Sequence, residues 1–288
     1  MRETSMMELL SEELGRRGYD VQLVEVAKNN KVMPAVCVRV DNTGINFYPD
    51  TFGNKDAAIS CLADEVENHL EDMIGGAPDA ASLSDPAFVL SNLEIRICKE
   101  EWNEERLKDA VTRRLYGTDL ILYLMVTVEL PSGGKGSSIV KKDYLKILGI
   151  SEDTAWDNAN RNAEYRVSDL CEVMMEMMGA SFKMPGTPDM AVISNREAAY
   201  GAAAIANPEA LREASELLNS RNLYIIPSSI HECIAIPAGF GSPEEIRNMI
   251  CDVNAGVVSE TERLSDHPYK WDGETMISIG TFPTLEVS

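Results

Sequence analysis

Positive charge is scarce in this chain. Lysine and arginine total 26 of 288 residues against 47 aspartates and glutamates, a formal net charge of −21. A nucleic-acid binder needs a basic face to displace counterions from phosphates, so direct nucleic-acid binding is not expected. Docking on an anionic membrane surface is disfavoured for the same reason. Histidine is scarcer still, with only His69, His231 and His267 in the chain. Three such residues exclude a His-rich metal centre, and neither a metal nor a cofactor is expected. No C-x-x-C pair occurs, which excludes a zinc ribbon and a thioredoxin-like redox motif. No apolar run reaches the ~18 residues of a membrane span, and the N-terminus is too charged for a signal peptide.

The six cysteines (Cys37, Cys61, Cys98, Cys171, Cys233, Cys251) stand singly in apolar surroundings. Disulfide frameworks belong to shorter, secreted chains. Six reduced, buried thiols in a cytoplasmic protein are expected. With 44% hydrophobic residues the chain can build an ordinary core.

The acids are unevenly placed. Residues 1–90 carry 7 basic and 16 acidic residues, residues 91–182 carry 12 and 16, and residues 183–288 carry 7 and 15. From Asp56 to Leu90 there are eight acids and no lysine or arginine.

Hydrophobic periodicity divides the chain into three segments. In residues 1–80, a helix through Leu9, Leu10 and Leu14 precedes strands at Val21–Val26, Val32–Val40 and Ile45–Tyr48. Asn29 and Asn30 suit the first hairpin turn, because asparagine tolerates the left-handed region. An acidic helix follows, with Ile59, Leu62, Val66, Leu70 and Met73 in phase. Residues 88–182 give a strand at Leu93–Cys98, a helix capped by Asn103 and a buried strand at Leu120–Leu130. A glycine-rich loop, Pro131 to Ser137, leads to a return strand at Ser138–Lys141. Ser151 opens another helix, and a long helix carries Val167, Leu170, Cys171, Met174, Met177 and Met178 on one face. That methionine run reads as core, with an adaptable partner groove as the sharper possibility. Residues 188–288 give strands at Met190–Ser194, Tyr200–Ala206, Leu223–Ile226 and Ile230–Ile236. Helices begin at Asn207-Pro208 and at the Ser242–Glu245 capping box, and Asp272-Gly273 makes a last hairpin turn. Adjacent hairpin strands with interposed helices indicate an α+β class built mostly from antiparallel sheets.

The densest run of chemically useful residues is Pro227-Ser228-Ser229-Ile230-His231-Glu232. Strand alternation across it puts Ile230, Glu232, Ile234 and Ile236 on one face. An acid in a row of isoleucines is either desolvated or paired with a cation. Ser229, His231, Glu232, Asp266 and His267 are therefore the candidate catalytic residues. Asn29, Asn30 and Ser228 are the candidate binding residues. A serine nucleophile would need a base and an oxyanion hole, and the G-x-S-x-G elbow is absent. Ala235 stands where H-E-x-x-H needs its second histidine. Gly133 to Gly136 lacks the Walker order. Ala238 to Ser242 has the shape of an anion-binding helix start, but Glu244 and Glu245 repel an anion.

Five segments occur in a telling order: Val-Ala-Lys-Asn-Asn at 26–30, Tyr-Leu-Lys-Ile-Leu-Gly-Ile-Ser at 144–151, Tyr-Gly-Ala-Ala-Ala at 200–204, Leu-Tyr-Ile-Ile-Pro-Ser-Ser-Ile-His-Glu at 223–232 and Leu-Ser-Asp-His at 264–267. Together they resemble an uncharacterised bacterial family, the domain of unknown function 5688, over nearly the whole chain. One departure is visible: where relatives carry Pro-x-Ile-Tyr after the meander, this chain has Tyr48-Pro-Asp-Thr-Phe52. The resemblance implies a continuous architecture and no particular activity.

Three functional expectations follow. The first is a non-enzymatic, cytoplasmic binding or regulatory protein whose partner is another protein. The second is an enzyme of unassigned class, a hydrolase in the simplest form, centred on Ser-Ser-Ile-His-Glu. The third is an acidic nucleic-acid mimic using the Asp56–Asp85 stretch, which requires its acids to form one regular stripe.

Overall fold

A computed structural model describes residues 5–40, 43–48, 58–74, 81–129, 135–179 and 189–279. Gly133, Gly134 and the Pro49–Phe52 part of the departing loop lie outside the described residues.

The first unit pairs two helices with a meander. Ser5 and Glu8 form a reciprocal capping box that starts α1 (Met6–Arg16). Strands β1 (Asp20–Lys28), β2 (Lys31–Val40) and β3 (Thr43–Phe47) pair antiparallel in chain order. Leu10 and Leu14 of α1 meet Val36, Val38, Ile45 and Phe47 of the sheet, and Leu62, Val66 and Leu70 of α2 (Ile59–Ile74) complete that cluster. Arg17 ties the helices together, reaching Glu13 at 3.1 Å, Asp64 at 2.7 Å and Glu67 at 2.6 Å.

Helix α3 (Pro86–Ser91) is capped by the Asp85 side chain. A second sheet then forms around β6 (Leu120–Glu129), with β4 (Leu93–Lys99) on one side. On the other side lie β5 (Thr112–Arg114) and β7 (Lys135–Ile139). Nine successive residues of β6 are buried, which requires cover on both faces. Leu122, Leu124 and Val126 face the main core, and Ile121, Tyr123 and Met125 face a smaller one with Cys98 and Leu107. Helix α4 (Glu104–Leu107) precedes β5, and α5 (Lys142–Leu148) and α6 (Glu152–Asn162) follow β7.

The third sheet runs β13-β12-β10-β11-β9-β8, antiparallel throughout. Its strands are β8 (Arg166–Asp169), β9 (Ala191–Ser194), β10 (Leu223–Ile226), β11 (Cys233–Pro237), β12 (Tyr269–Trp271) and β13 (Met276–Ser278). Helices α7 (Leu170–Met177), α8 (Pro208–Leu217) and α9 (Pro243–Gly256) join them. Asn207 caps α8, and a Ser242–Glu245 box caps α9. One apolar cluster extends from Val89 to Met276, so the second and third sheets share a core. The protein is α+β, with antiparallel sheets built from hairpins.

Four local expectations are corrected. Tyr200–Ala206 is not a strand: residues Gly201–Ala206 form a 3-10 turn. Alanine favours helical dihedrals and packs poorly on a pleated face. Val167 lies in β8, outside any helix, because the Asp169 carboxylate accepts the Cys171 N–H at 2.9 Å and starts α7 afresh there. The methionines of α7 are not core: Met174, Met177 and Met178 are all exposed, Met177 by 85%. Lastly, all six cysteines are free, but only Cys37, Cys98 and Cys233 are buried. Burial pushes the Cys98 thiol up to about 12, and Cys233 is raised by the same cause, so neither is a ready nucleophile.

The first unit meets the others at the tip of its β1–β2 hairpin. Asn30 adopts a left-handed backbone (φ 59°). Its amide nitrogen donates to the carbonyls of Glu260 and Arg263, while Asn29 donates to those of Thr261 and Arg263. Asn103 grips the same tip, donating to Asn30 Oδ1 at 2.8 Å and accepting from its N–H at 3.0 Å. The Asn103 side chain therefore joins two units and forms no cap on α4.

Candidate functional site

Strand alternation does not carry through to Glu232, because the strand stops before Pro227. Proline cannot donate to a ladder, and the two serine hydroxyls behind it offer local alternatives to one. The chain leaves β10 at Ile226 and re-enters the sheet only at Cys233. Between them Ser229 N–H donates to Glu232 O, Ser229 Oγ accepts from His231 N–H at 3.0 Å, and Ile230 N–H donates to Glu262 O. Glu232 is part-exposed, outside any row of isoleucines. Its Oε1 accepts from both Ser228 Oγ (3.0 Å) and Ser229 Oγ (2.9 Å).

His231 faces the other way. Its Nδ1 accepts the Tyr200 N–H at 3.1 Å, which places the proton of the neutral ring on Nε2. That Nε2 lies 3.7 Å from Glu262 Oε1. The His231 carbonyl accepts from Ser194 Oγ at 2.7 Å and from Gly201 N–H at 3.0 Å. So Ser228, Ser229, His231 and Glu232 do line one depression of about 470 Å³, but neither hydroxyl is bonded to the imidazole. A Ser–His nucleophilic pair is not assembled there.

Asp266 and His267 sit apart from that depression. Asp266 Oδ1 accepts from Asn254 Nδ2 at 2.9 Å. His267 lies beside a buried network on Asp119, whose carboxylate accepts from Tyr269 Oη at 2.6 Å and Ser265 Oγ at 3.0 Å. Lys99, 8% exposed at its side chain, stands 3.7 Å from the same carboxylate and over the Trp102 ring at 4.0 Å. Burial lowers the His267 pKa, Asp119 opposing and Lys99 reinforcing the shift. Burial raises the Tyr269 hydroxyl far above its ordinary value, and Asp119 adds to it. This network bolts the second sheet to the third.

What His231 does hold is the turn from Ser194 to Tyr200. Ala198 and Tyr200 both have positive φ (52° and 55°), a strained geometry for residues with a Cβ. The Asn195 side chain brackets the turn, accepting Ala199 N–H and donating to Ala199 O. A Cβ at Gly201 would stand 2.2 Å from Asn195 N and 2.4 Å from Ser194 Oγ, so only glycine fits. The turn presents the Tyr200 ring, with the Arg96 guanidinium 4.0 Å above it and the His231 ring tilted against it at 5.1 Å. Arg96 in turn reaches Glu94 at 3.3 Å, and Thr127 Oγ1 donates to Glu94 at 2.8 Å.

Tyr200 and Glu94 open onto a larger cleft of about 820 Å³. Its walls are β4, the Arg113 end of β5, Leu122 of β6, Trp156 and Asn160 of α6, the Gly201–Ala206 turn, and Glu209 and Arg212 of α8. The alanines at 203, 204 and 206 leave the space open. That volume lies in the range of small-molecule sites. Sequence reasoning missed Glu94, Arg96, Trp156 and Glu262. The available signal was the Tyr-Gly-Ala-Ala-Ala run, where a glycine and small side chains follow a lone aromatic.

Asn29 and Asn30, expected as binding residues, have their amide nitrogens engaged within the chain, while the buried Asn29 Oδ1 has no hydrogen-bond partner. Among the described residues no cluster of His, Cys, Asp and Glu could hold a metal ion. No described helix is long and apolar enough to cross a membrane. No curated protein and no solved structure matches the chain. The model of a family of unknown function, DUF5688, matches residues 3–273. With nearly the whole length matched, the chain belongs to that family.

Proposed function

We propose that this protein is a non-enzymatic, cytoplasmic binding protein, with its ligand seated in the cleft between the second and third sheets. The observation that carries the reading is the division of labour at His231. Its Nδ1 and carbonyl are both spent on holding the Tyr200–Gly201 turn at the cleft wall, and the neighbouring serines are spent on Glu232. Strain concentrated beside a cavity is a common mark of a binding site. Six free thiols support a reducing compartment.

Two measurements test it. A thermal-shift screen with a fragment library should find stabilising compounds for the wild type, and most should be lost in Ala204→Leu, which narrows the cleft. An absence of binders, or binders indifferent to Ala204→Leu, would overturn it. A fluorophosphonate probe should leave Ser228 and Ser229 unlabelled; labelling at either would restore the hydrolase alternative.

A protein partner is a second reading, favoured by the exposed Met174 and Met177 of α7 and Met178 at its C-cap, since methionine adapts to varied surfaces. A nucleic-acid mimic has less support. Asp64 and Glu67 are engaged by Arg17, and Asp85 is engaged as a cap.

A further inference from the structure

We infer that two copies of this chain join edge to edge through β1, antiparallel about a two-fold axis at Val24, so that their meanders form one six-stranded sheet. The first observation is an open row of backbone. β1 pairs with β2 along one side over all nine of its residues, without a bulge, and it pairs with no other described strand. Among the described residues none forms a further hydrogen bond to its other side. None of its nine residues is buried, and Leu23 is 51% exposed. The strand has no proline, and five of its side chains (Val21, Leu23, Val24, Val26 and Ala27) are apolar. An unpaired edge of about 30 Å is a ready template for another strand.

The second observation is that the strand is complementary in charge to itself. Side chains alternate between faces, so a pairing that keeps the helix-packed faces together slides only in steps of two residues. With Val24 opposite its own copy, all nine residues are paired. Asp20 then lies opposite the second copy's Lys28, Lys28 opposite its Asp20, and Leu23 opposite its Glu25. No like charges meet. One step in one direction sets Glu25 against the second copy's Glu25. One step in the other leaves Lys28 beyond the end of the partner strand. Asp20 and Lys28 are both exposed, and among the described residues Asp20 has no ion-pair partner. The Lys28 ammonium lies over the Tyr48 ring at 4.5 Å, and with three donors it can face the ring and a carboxylate together.

The test uses the full chain at physiological salt, where screening over about 8 Å limits the repulsion between two chains of net charge −21. Sedimentation velocity over about a hundredfold range of concentration should show a reversible monomer–dimer equilibrium. Hydrogen exchange on the same samples should slow at β1 amides as the dimer fills, while amides of β3, the other edge of the sheet, stay unchanged. Leu23→Lys, a charge at the middle of the edge, should abolish the dimer. Asp20→Lys and Lys28→Asp should each weaken it about tenfold, because two attractive pairs become two repulsive ones. Asp20→Lys makes the chain less negative, so general charge repulsion predicts the opposite sign for it. The double variant carrying both changes restores the pairs and should return to the wild-type affinity. Circular dichroism checks that each variant is folded, and the wild-type exchange pattern needs no variant. A monomer at every concentration overturns the inference, and so does an assembly larger than a dimer. A dimer that ignores Leu23→Lys, leaves β1 exchange unchanged or stays broken in the double variant also overturns it.

Discussion

Two hollows both draw on the Ser194–Tyr200 turn, the smaller through Ala198 and the larger through Tyr200, and they differ in how they are made. The smaller one takes its hydroxyls, imidazole and one carboxylate from residues adjacent in the chain, Ser228, Ser229, His231 and Glu232, with Ala198, Val257, Val258 and Glu262 completing its wall. Its polar groups satisfy one another, and it is open to solvent. The larger one collects Glu94, Arg113, Trp156, Tyr200 and Arg212 from five different elements or turns. Side chains close in sequence readily pair among themselves. In this protein the chemistry-rich string serves as the frame of the Tyr200 turn, and the scattered set forms the wall of the larger cleft.

The sharpest way to break that comparison is Gly201→Ala. Its Cβ would overlap Asn195 N and Ser194 Oγ, so urea unfolding should show a loss of about 3 kcal/mol. A neutral outcome would mean the turn is not the rigid joint between the two hollows. Tyr269→Phe comes next. It removes a charge-assisted bond to buried Asp119 and should cost about 2 kcal/mol by the same measurement, with cleft binding intact. Third, His231→Ala should cost about 1 kcal/mol and weaken any cleft ligand, because Tyr200 N–H loses its acceptor. Ser229→Ala should cost a similar amount and leave cleft affinity alone; the reverse pattern in titrations of both variants would exchange the roles of the hollows.

The smallest effect is one of pH. Burial depresses the His267 pKa in the folded protein, so the unfolded state binds the proton more readily. Its contribution is fully present above the unfolded value of about 6.5 and is lost as pH falls through the folded one. His267→Gln should flatten the fall of stability with acid in that window, as followed by chemical denaturation at several pH values. An unchanged slope would show that His267 is solvated.

The legible parts of the fold were those with local causes. The meander, the Asn207-Pro208 cap, the Ser242–Glu245 box and the Asp272-Gly273 turn each depend on residues within a few positions. Val167 and Ile230–Glu232 depart from periodicity because a competing local bond, an Asp cap or a Ser–Glu contact, ends the pattern, and Tyr200–Ala206 departs because its alanines favour helical dihedrals. Asn103 was misread for the opposite reason: its side chain answers to Asn30, 73 positions earlier. The cleft was invisible for a deeper cause. Glu94, Trp156 and Tyr200 are ordinary residues in ordinary elements, and only the packing of two sheets against one another makes them neighbours.

That shared packing has a consequence for how the chain is made. β6 leaves the ribosome with an apolar run, Leu120 to Val126, and part of its cover comes from residues beyond Ala191. Until the third sheet emerges, one face of this strand lacks that cover, a condition that favours aggregation. A fragment cut before Met190 would carry that hazard permanently. Synthesis of the whole protein carries it until the third sheet ends at Ser278, roughly 150 residues later, on the order of ten seconds at ~5–20 residues per second.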